Sequence, residues 1–240
     1  MSNDIVYTPK QRRPLVIFFH GGAGVKGSNK AANLGPIEGW NVNADLVYAD
    51  YDLSVPGHAE WPGIVWEETR DTFGYIKKLN PTYVVVVGLS HGGLMGYMMT
   101  HHYTQNPHPL LWPADKICMC YSPTDLTKLD EFMSNPDKTK DVNNLYNLYL
   151  TGDYEHTDTT KRLRVNASPA LHPLPNIDIL MFHGDRDPVV SPNQMDYIPN
   201  AEKHLIPGAI HGFHIQEYPL VKQRIESFIM TPPGGYLNEI

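Results

Sequence analysis

Cysteine is scarce in this chain: 2 residues among 240. They lie two apart, Cys118 and Cys120, in "KICMCYS". On a strand that spacing puts both on one face, which is poor geometry for a disulfide. They read as buried free thiols, and the expected compartment is the reducing cytoplasm. Charge is also modest, 19% Asp, Glu, Lys and Arg, with a net of −7. An acidic balance disfavours a nucleic-acid partner, because backbone binding requires a basic face. The two short basic clusters, "KQRR" near the start and "KRLR" at Lys161, read as solvated surface. No apolar run approaches the about 20 residues that span a bilayer. The opening "MSNDIVYTPKQRRP" is polar and lacks the apolar core of a secretory signal. There is no internal repeat and no low-complexity linker. His101-His102 and the cysteines lack metal-ligand spacing, so neither a metal nor a cofactor is expected.

What remains is a globular chain, 41% apolar, with a size that suits one α/β domain over 1–240. Short apolar runs alternate with segments of helical periodicity. "PLVIFFHGG" from Pro14, "ADLVYADYDL" from Ala44, "YVVVVGLS", "KICMCYSP", "IDILMFHGDRDPVV" from Ile177 and "EKHLIPGAI" read as six strands. Fully apolar runs of this kind suit strands buried on both faces. Between them, "WPGIVWEETRDTFGYIKKLN" from Trp61 and "GGLMGYMMTHHYTQ" read as helices, the second buried along its small and Met-rich face. "EYPLVKQRIESFIM" closes the pattern as an amphipathic helix. Such alternation predicts a mostly parallel, doubly wound sheet with helices on both faces. In such sheets the ligand site lies beyond the carboxyl ends of the strands.

The residues that follow the strands are polar and potentially reactive: His20-Gly21-Gly22, Gly88-Leu89-Ser90-His91-Gly92, His183-Gly184-Asp185-Arg186-Asp187 and His211-Gly212-Phe213. Gly88-x-Ser90-x-Gly92 between a strand and a helix has the form of a nucleophile elbow. The turn is so sharp that small residues are favoured two positions either side of the serine. A serine hydroxyl needs a base, and the base needs a carboxylate to orient it. The order nucleophile, acid, base is met by Ser90, an aspartate after the fifth strand, and His211. Asp185 and Asp187 compete for the acid on the residues alone. His204 and His214 read as surface or satisfied histidines. His91 is a poor base, since its side chain should point away from the hydroxyl. Its backbone N–H, with the glycine loop at His20, would instead supply donors to an oxyanion.

Taken together, these residues resemble an α/β-hydrolase of the esterase/lipase group related to hormone-sensitive lipase. "FFHGGAGVKGS" resembles the HGGG oxyanion loop of that group, and "YADYDLSVPGHAEWPGIVWE" its DYRLAPE segment. "GLSHGG" resembles its elbow, and "MFHGDRDPVV" with "GAIHGF" its acid and base segments. The resemblance implies that Asp187 rather than Asp185 is the acid, and that Gly21, Gly22 and Ala23 join His91 at the oxyanion hole. It also shows departures: Ala23 where a third glycine is common, and Leu89 and His91 where Asp and Ala are common. The expected N-terminal cap is minimal. A lid could come from 125–175, with an extra surface helix as the equal alternative.

The expected activity is a serine hydrolase acting on small carboxylic esters through Ser90, Asp187 and His211 and an acyl-enzyme. Amide cleavage, as by a formamidase or exopeptidase, stays open, as does a non-catalytic ligand-binding role for the fold. The expected partner is a small-molecule ester, with a homodimer as an option.

Overall fold

The computed structural model describes residues 12–21, 40–49, 51, 79–107, 113–133, 158–213 and 215–234. Within them, six strands form one parallel sheet: β1 (Leu15–Phe19), β2 (Asp45–Tyr48), β3 (Val84–Leu89), β4 (Lys116–Cys120), β5 (Asp178–Gly184) and β6 (Ala201–Ile206). Their spatial order is β2-β1-β3-β4-β5-β6. All five pairings are parallel. Among the described residues the α-helices are α1 (His91–Gln105), α2 (Leu126–Met133), α3 (Asp158–Asn166) and α4 (Pro219–Met230). The six strands stand where the apolar runs predict them. The helix read from Trp61 lies outside the described residues as far as 78.

The apolar strands bury both faces, and the two faces make two cores. Leu15, Ile17, Phe19, Val84, Val86, Ile117, Met119, Ile179 and Met181 point to one side, against Leu94, Met95, Met98 and Met99 of α1. Their neighbours Val16, Phe18, Val85, Val87, Cys118, Cys120, Leu180 and Phe182 point to the other, against Val221, Ile225, Phe228 and Ile229 of α4. This is the period of two, doubled, that continuous Val/Ile/Leu runs require. Cys118 and Cys120 are free and buried on one face, as their spacing predicts. Only the edge strands, β2 and β6, are partly exposed.

Two features correct the expectations. The helix α1 is buried at every residue from His91 to Thr100, not along one face. Its outer side is covered by the chain around 167–174, where Ala167 and Leu174 join the core and the Tyr97 hydroxyl donates to His172 O at 3.0 Å. The cluster "KRLR" is not all solvated surface either. Arg164 is buried and donates to Leu126 O, tying α3 to the start of α2. The ends of the segment 125–175 therefore belong to the body of the domain. Its middle, 134–157, lies outside the described residues, and with it the question of a lid.

The chain leaves β1 towards β2 on one side, then returns to place β3 on the other. A doubly wound sheet opens a crevice at such a reversal, beyond the carboxyl ends of the strands. Here that point lies between His20-Gly21 and Leu89-Ser90.

Candidate active site

Ser90 stands between β3 and α1 with φ 51° and ψ −124°. A non-glycine residue in that region is strained, and such strain persists only where the surroundings enforce it. Here three contacts do so. The Ser90 N–H donates to Cys120 O at 2.8 Å, and Gly93 N–H donates back to Ser90 O at 3.0 Å. The third is the absence of side chains. A Cβ on Gly88 would overlap the backbone of Gly92 and Gly93, and one on Gly92 would overlap the carbonyl oxygens of Phe19 and His20. The glycines flanking Ser90 are thus required sterically, as the elbow reading predicts.

The loop after β5 carries both candidate acids, Asp185 and Asp187. Asp185 and Arg186 donate their N–H groups to Ile206 O and Ala209 O. These bonds fasten the β5 loop to the β6 loop, which carries His211. Gly184 makes the approach achievable, since a Cβ there would overlap the Ala209 carbonyl. The two aspartates then separate clearly. The carboxylate of Asp185 accepts from Gly208 N–H and closes the exposed loop. Asp187 turns inward and is buried. Its Oδ1 accepts from Val189 and Val190 N–H at 2.8 and 2.9 Å. Its Oδ2 accepts from His211 Nδ1 at 2.8 Å.

With Nδ1 donating to a carboxylate, the lone pair of His211 lies on Nε2. That atom is 3.0 Å from Ser90 Oγ. Ser90, His211 and Asp187 therefore form a continuous hydrogen-bonded line, in the geometry of a nucleophile, its base and an orienting acid. Burial pushes the Asp187 carboxyl up, but hydrogen bonds from His183 and His211, the charge on His211 and the Val190 N–H outweigh it and bring it down to about 2. The acid is thus ionised at any physiological pH.

The donors expected at the oxyanion are described only in part. Gly22 and Ala23 lie outside the described residues. Gly21 is present beside the nucleophile: a Cβ on it would sit 3.2 Å from both Leu89 O and Ser90 Cβ. His91 opens α1, so its N–H lies in the first helical turn, where N–H groups point along the axis. Its side chain is buried, and burial followed by the charge of nearby His20 lowers its imidazole to about 4. His91 is therefore neutral, and it is His211 that meets the Ser90 hydroxyl.

His20 is fully buried and stacks on Tyr51 with ring centroids 3.9 Å apart. Its Nε2 lies 2.9 Å from Tyr51 O. The Tyr51 hydroxyl donates to His20 O. This pair fixes the end of β1 just before the glycine loop. His204, one of the discounted histidines, is satisfied by Glu202 and stacks on Phe182. His214 lies outside the described residues.

Two residues at the site escape the sequence reading. Tyr121, at the end of β4, has φ 43° and stands edge-on to His211, with Phe213 on its other side. The strand pattern shows only an apolar run ending there. His183 is visible in "MFHGD", but nothing in the sequence says that its Nε2 lies 3.0 Å from Asp187 Oδ2. Among the described residues no group of three or more metal-ligating side chains occurs. No described helix is long and apolar enough to cross a membrane.

Known proteins place this geometry in context. The model of the family described as BD-FAE matches residues 4–201. No curated protein matches the chain. Among solved structures, a hyperthermophilic esterase from the archaeon Pyrobaculum calidifontis is 20% identical with a TM-score of 0.66, over 92% of this chain and 77% of that one. One of two fungal esterases from Rhizomucor miehei is 18% identical with a TM-score of 0.65, over 93% of this chain and 76% of the other. Est1E from Butyrivibrio proteoclasticus is 17% identical with a TM-score of 0.62, over 92% and 88%. Identities this low show a shared fold, the α/β-hydrolase fold.

Proposed function

The chain belongs to the BD-FAE family, an α/β-hydrolase esterase family; on that premise we propose that it is a carboxylesterase-type hydrolase that cleaves small carboxylic esters with Ser90 as nucleophile, His211 as base and Asp187 as acid. The observation that carries the proposal is the line of contacts from Ser90 Oγ to His211 Nε2 at 3.0 Å and from His211 Nδ1 to Asp187 Oδ2 at 2.8 Å.

The steps follow from that line. Ser90 Oγ attacks the ester carbonyl carbon as its proton passes to His211 Nε2. The imidazolium so formed is held by ionised Asp187, which keeps its own charge throughout. The carbonyl oxygen becomes an oxyanion, received by the N–H groups assigned to His91, Gly22 and Ala23, with Gly21 giving the loop its close approach. The C–O bond to the alcohol breaks, His211 returns the proton to the departing alkoxide, and the acyl group stays on Ser90. Water, deprotonated by His211, then attacks the acyl-enzyme and releases the carboxylic acid. No cofactor enters these steps.

The test is direct. Wild-type protein should react with a fluorophosphonate probe at Ser90 and hydrolyse p-nitrophenyl acetate, and Ser90→Ala should lose both. A folded wild type that is neither labelled nor faster than Ser90→Ala overturns the proposal. A series of p-nitrophenyl esters of rising acyl length, beside an N-formyl amide, measures the substrate range. Preference for the amide would overturn the ester assignment while leaving the catalytic roles in place.

A further inference from the structure

Asp187 Oδ2 faces two histidines. His211 Nδ1 lies 2.8 Å from it and His183 Nε2 3.0 Å. His183 is fully buried at the carboxyl end of β5. Its Nε2 also lies 3.0 Å from Val190 O. Both neighbours of Nε2 are acceptors, so the proton of this ring is on Nε2. The other nitrogen, Nδ1, is buried with no hydrogen-bond partner among the described residues. His183 is therefore an Nε2–H donor of fixed tautomer, aimed at Asp187 and the Val190 carbonyl.

Resting on the roles proposed above, we propose that His183 is a positioning residue that shares the Asp187 oxygen with His211 and thereby keeps the base less basic. Val190 closes the arrangement: its N–H donates to Asp187 Oδ1 and its carbonyl faces His183 Nε2. The carboxylate is held on both oxygens and cannot rotate away from His211. Every donor on a carboxylate also withdraws part of its charge, and a carboxylate so occupied stabilises a neighbouring imidazolium less. The titratable groups against His211 among the described residues are Asp187 and Tyr121, besides the Ser90 hydroxyl. Those acting on Asp187 are His183 and His211, with Tyr121 nearby. His183 is the only one of these that opposes protonation of His211 by occupying the same oxygen. Its consequence is a carboxylate that fixes the His211 ring in place while lending less of its charge to the protonated form.

The experiment replaces the donor at nearly constant volume, with His183→Leu and His183→Met, and restores a donor at the Nε2 position with His183→Gln. His211 is titrated by long-range proton–nitrogen NMR, which needs no turnover, and the pH profile of kcat/KM on p-nitrophenyl acetate is measured beside it. The expected result is a His211 titration displaced to higher pH in the two apolar variants, matched by the acid limb of the profile, and a return to wild type in His183→Gln. A purely structural role would lower kcat/KM at every pH and leave the limb in place. An unchanged or lowered His211 titration in a folded apolar variant overturns the proposal. Should both apolar variants fail to fold, wild type decides. Its spectrum should hold His183 with a proton on Nε2, and a His183 ring whose single proton sits on Nδ1 overturns the proposal. If instead Ser90→Ala hydrolyses as fast as wild type, the catalytic reading falls, while the His211 titration still decides the role of His183.

Discussion

The ring of Tyr121 meets that of His211 at 68°, with centroids 5.0 Å apart. Asp187 holds His211 at Nδ1 and Ser90 meets it at Nε2, and two hydrogen bonds at opposite ends of the ring still leave it free to turn about the line between them. Tyr121, itself edge-on to Phe213, closes that freedom from the side. Tyr121→Ala should therefore lower kcat/KM by about tenfold, the weight of one aromatic pair, with little effect on KM. Tyr121→Phe should keep most of the rate. Steady-state kinetics on the two variants checks this, and equal losses in both would point to the hydroxyl instead.

Gly184 and Gly208 offer a contrast of two glycines serving the same pair of loops. A Cβ on Gly184 would overlap the Ala209 carbonyl oxygen, whereas a Cβ on Gly208 meets nothing within 4 Å. Gly184→Ala must push the β6 loop outward and draw His211 from Asp187. It should cost about 2–3 kcal/mol, or roughly 4–10 °C in Tm, and most of the activity. Gly208→Ala carries only the strain of its φ of +76°. It should cost about 1–2 kcal/mol and leave kcat intact. Calorimetry and ester hydrolysis on both variants distinguish the two mechanisms.

Asp187 links the site to acid stability. Its carboxyl titrates at about 2 in the folded chain against an ordinary 3.8. The unfolded chain therefore binds more protons between those values, and stability rises with pH across them. Asp187 contributes on the order of 2 kcal/mol above pH 4, lost as pH falls through about 2. Urea denaturation of wild type and Asp187→Asn should show a gap at pH 6 that narrows by about that amount at pH 2.

Lys116 acts in the same sense at high pH. It is fully buried, with Nζ donating to Phe228 O and, at 2.8 Å, to Thr231 O, so it caps the end of α4. Burial lowers its ammonium to about 8, against the opposing pull of Asp178 and Cys118. The unfolded chain keeps the proton up to its ordinary 10.5, so this group makes stability rise between about 8 and 10.5. Relative to Lys116→Met, wild type should gain on the order of 2–3 kcal/mol over that window. Denaturation at pH 7.5 and 10 measures the difference, and a wild type that weakens relative to the variant contradicts the assignment.

Much of the fold is legible in the sequence because its signals are local. Four valines before Gly88 can only be a strand covered on both faces, and Gly-Leu-Ser-His-Gly can only be a tight turn into a helix. Pairing and packing are not local. "KRLR" looks like solvent-facing charge, yet Arg164 reaches the Leu126 carbonyl inside the domain. Burial of α1 on its outer side likewise depends on a segment some seventy residues away, so the helix's own pattern does not reveal it.

The sequence by itself determined which residues reach the carboxyl ends of the strands, since each follows an apolar run and a strand delivers its last residues to one edge of the sheet. It narrowed the acid to Asp185 or Asp187 and went no further on the residues alone, because the two sit two apart in one loop with the same chemistry. Tertiary structure places them differently: hydrogen bonds from the β6 loop take Asp185 to the surface and leave Asp187 facing His211. It also decided what surrounds His211. Tyr121 and His183 come from β4 and β5, far from His211 in the chain, and only strand order in the sheet brings an aromatic edge to one side of the base and a second histidine to its acid.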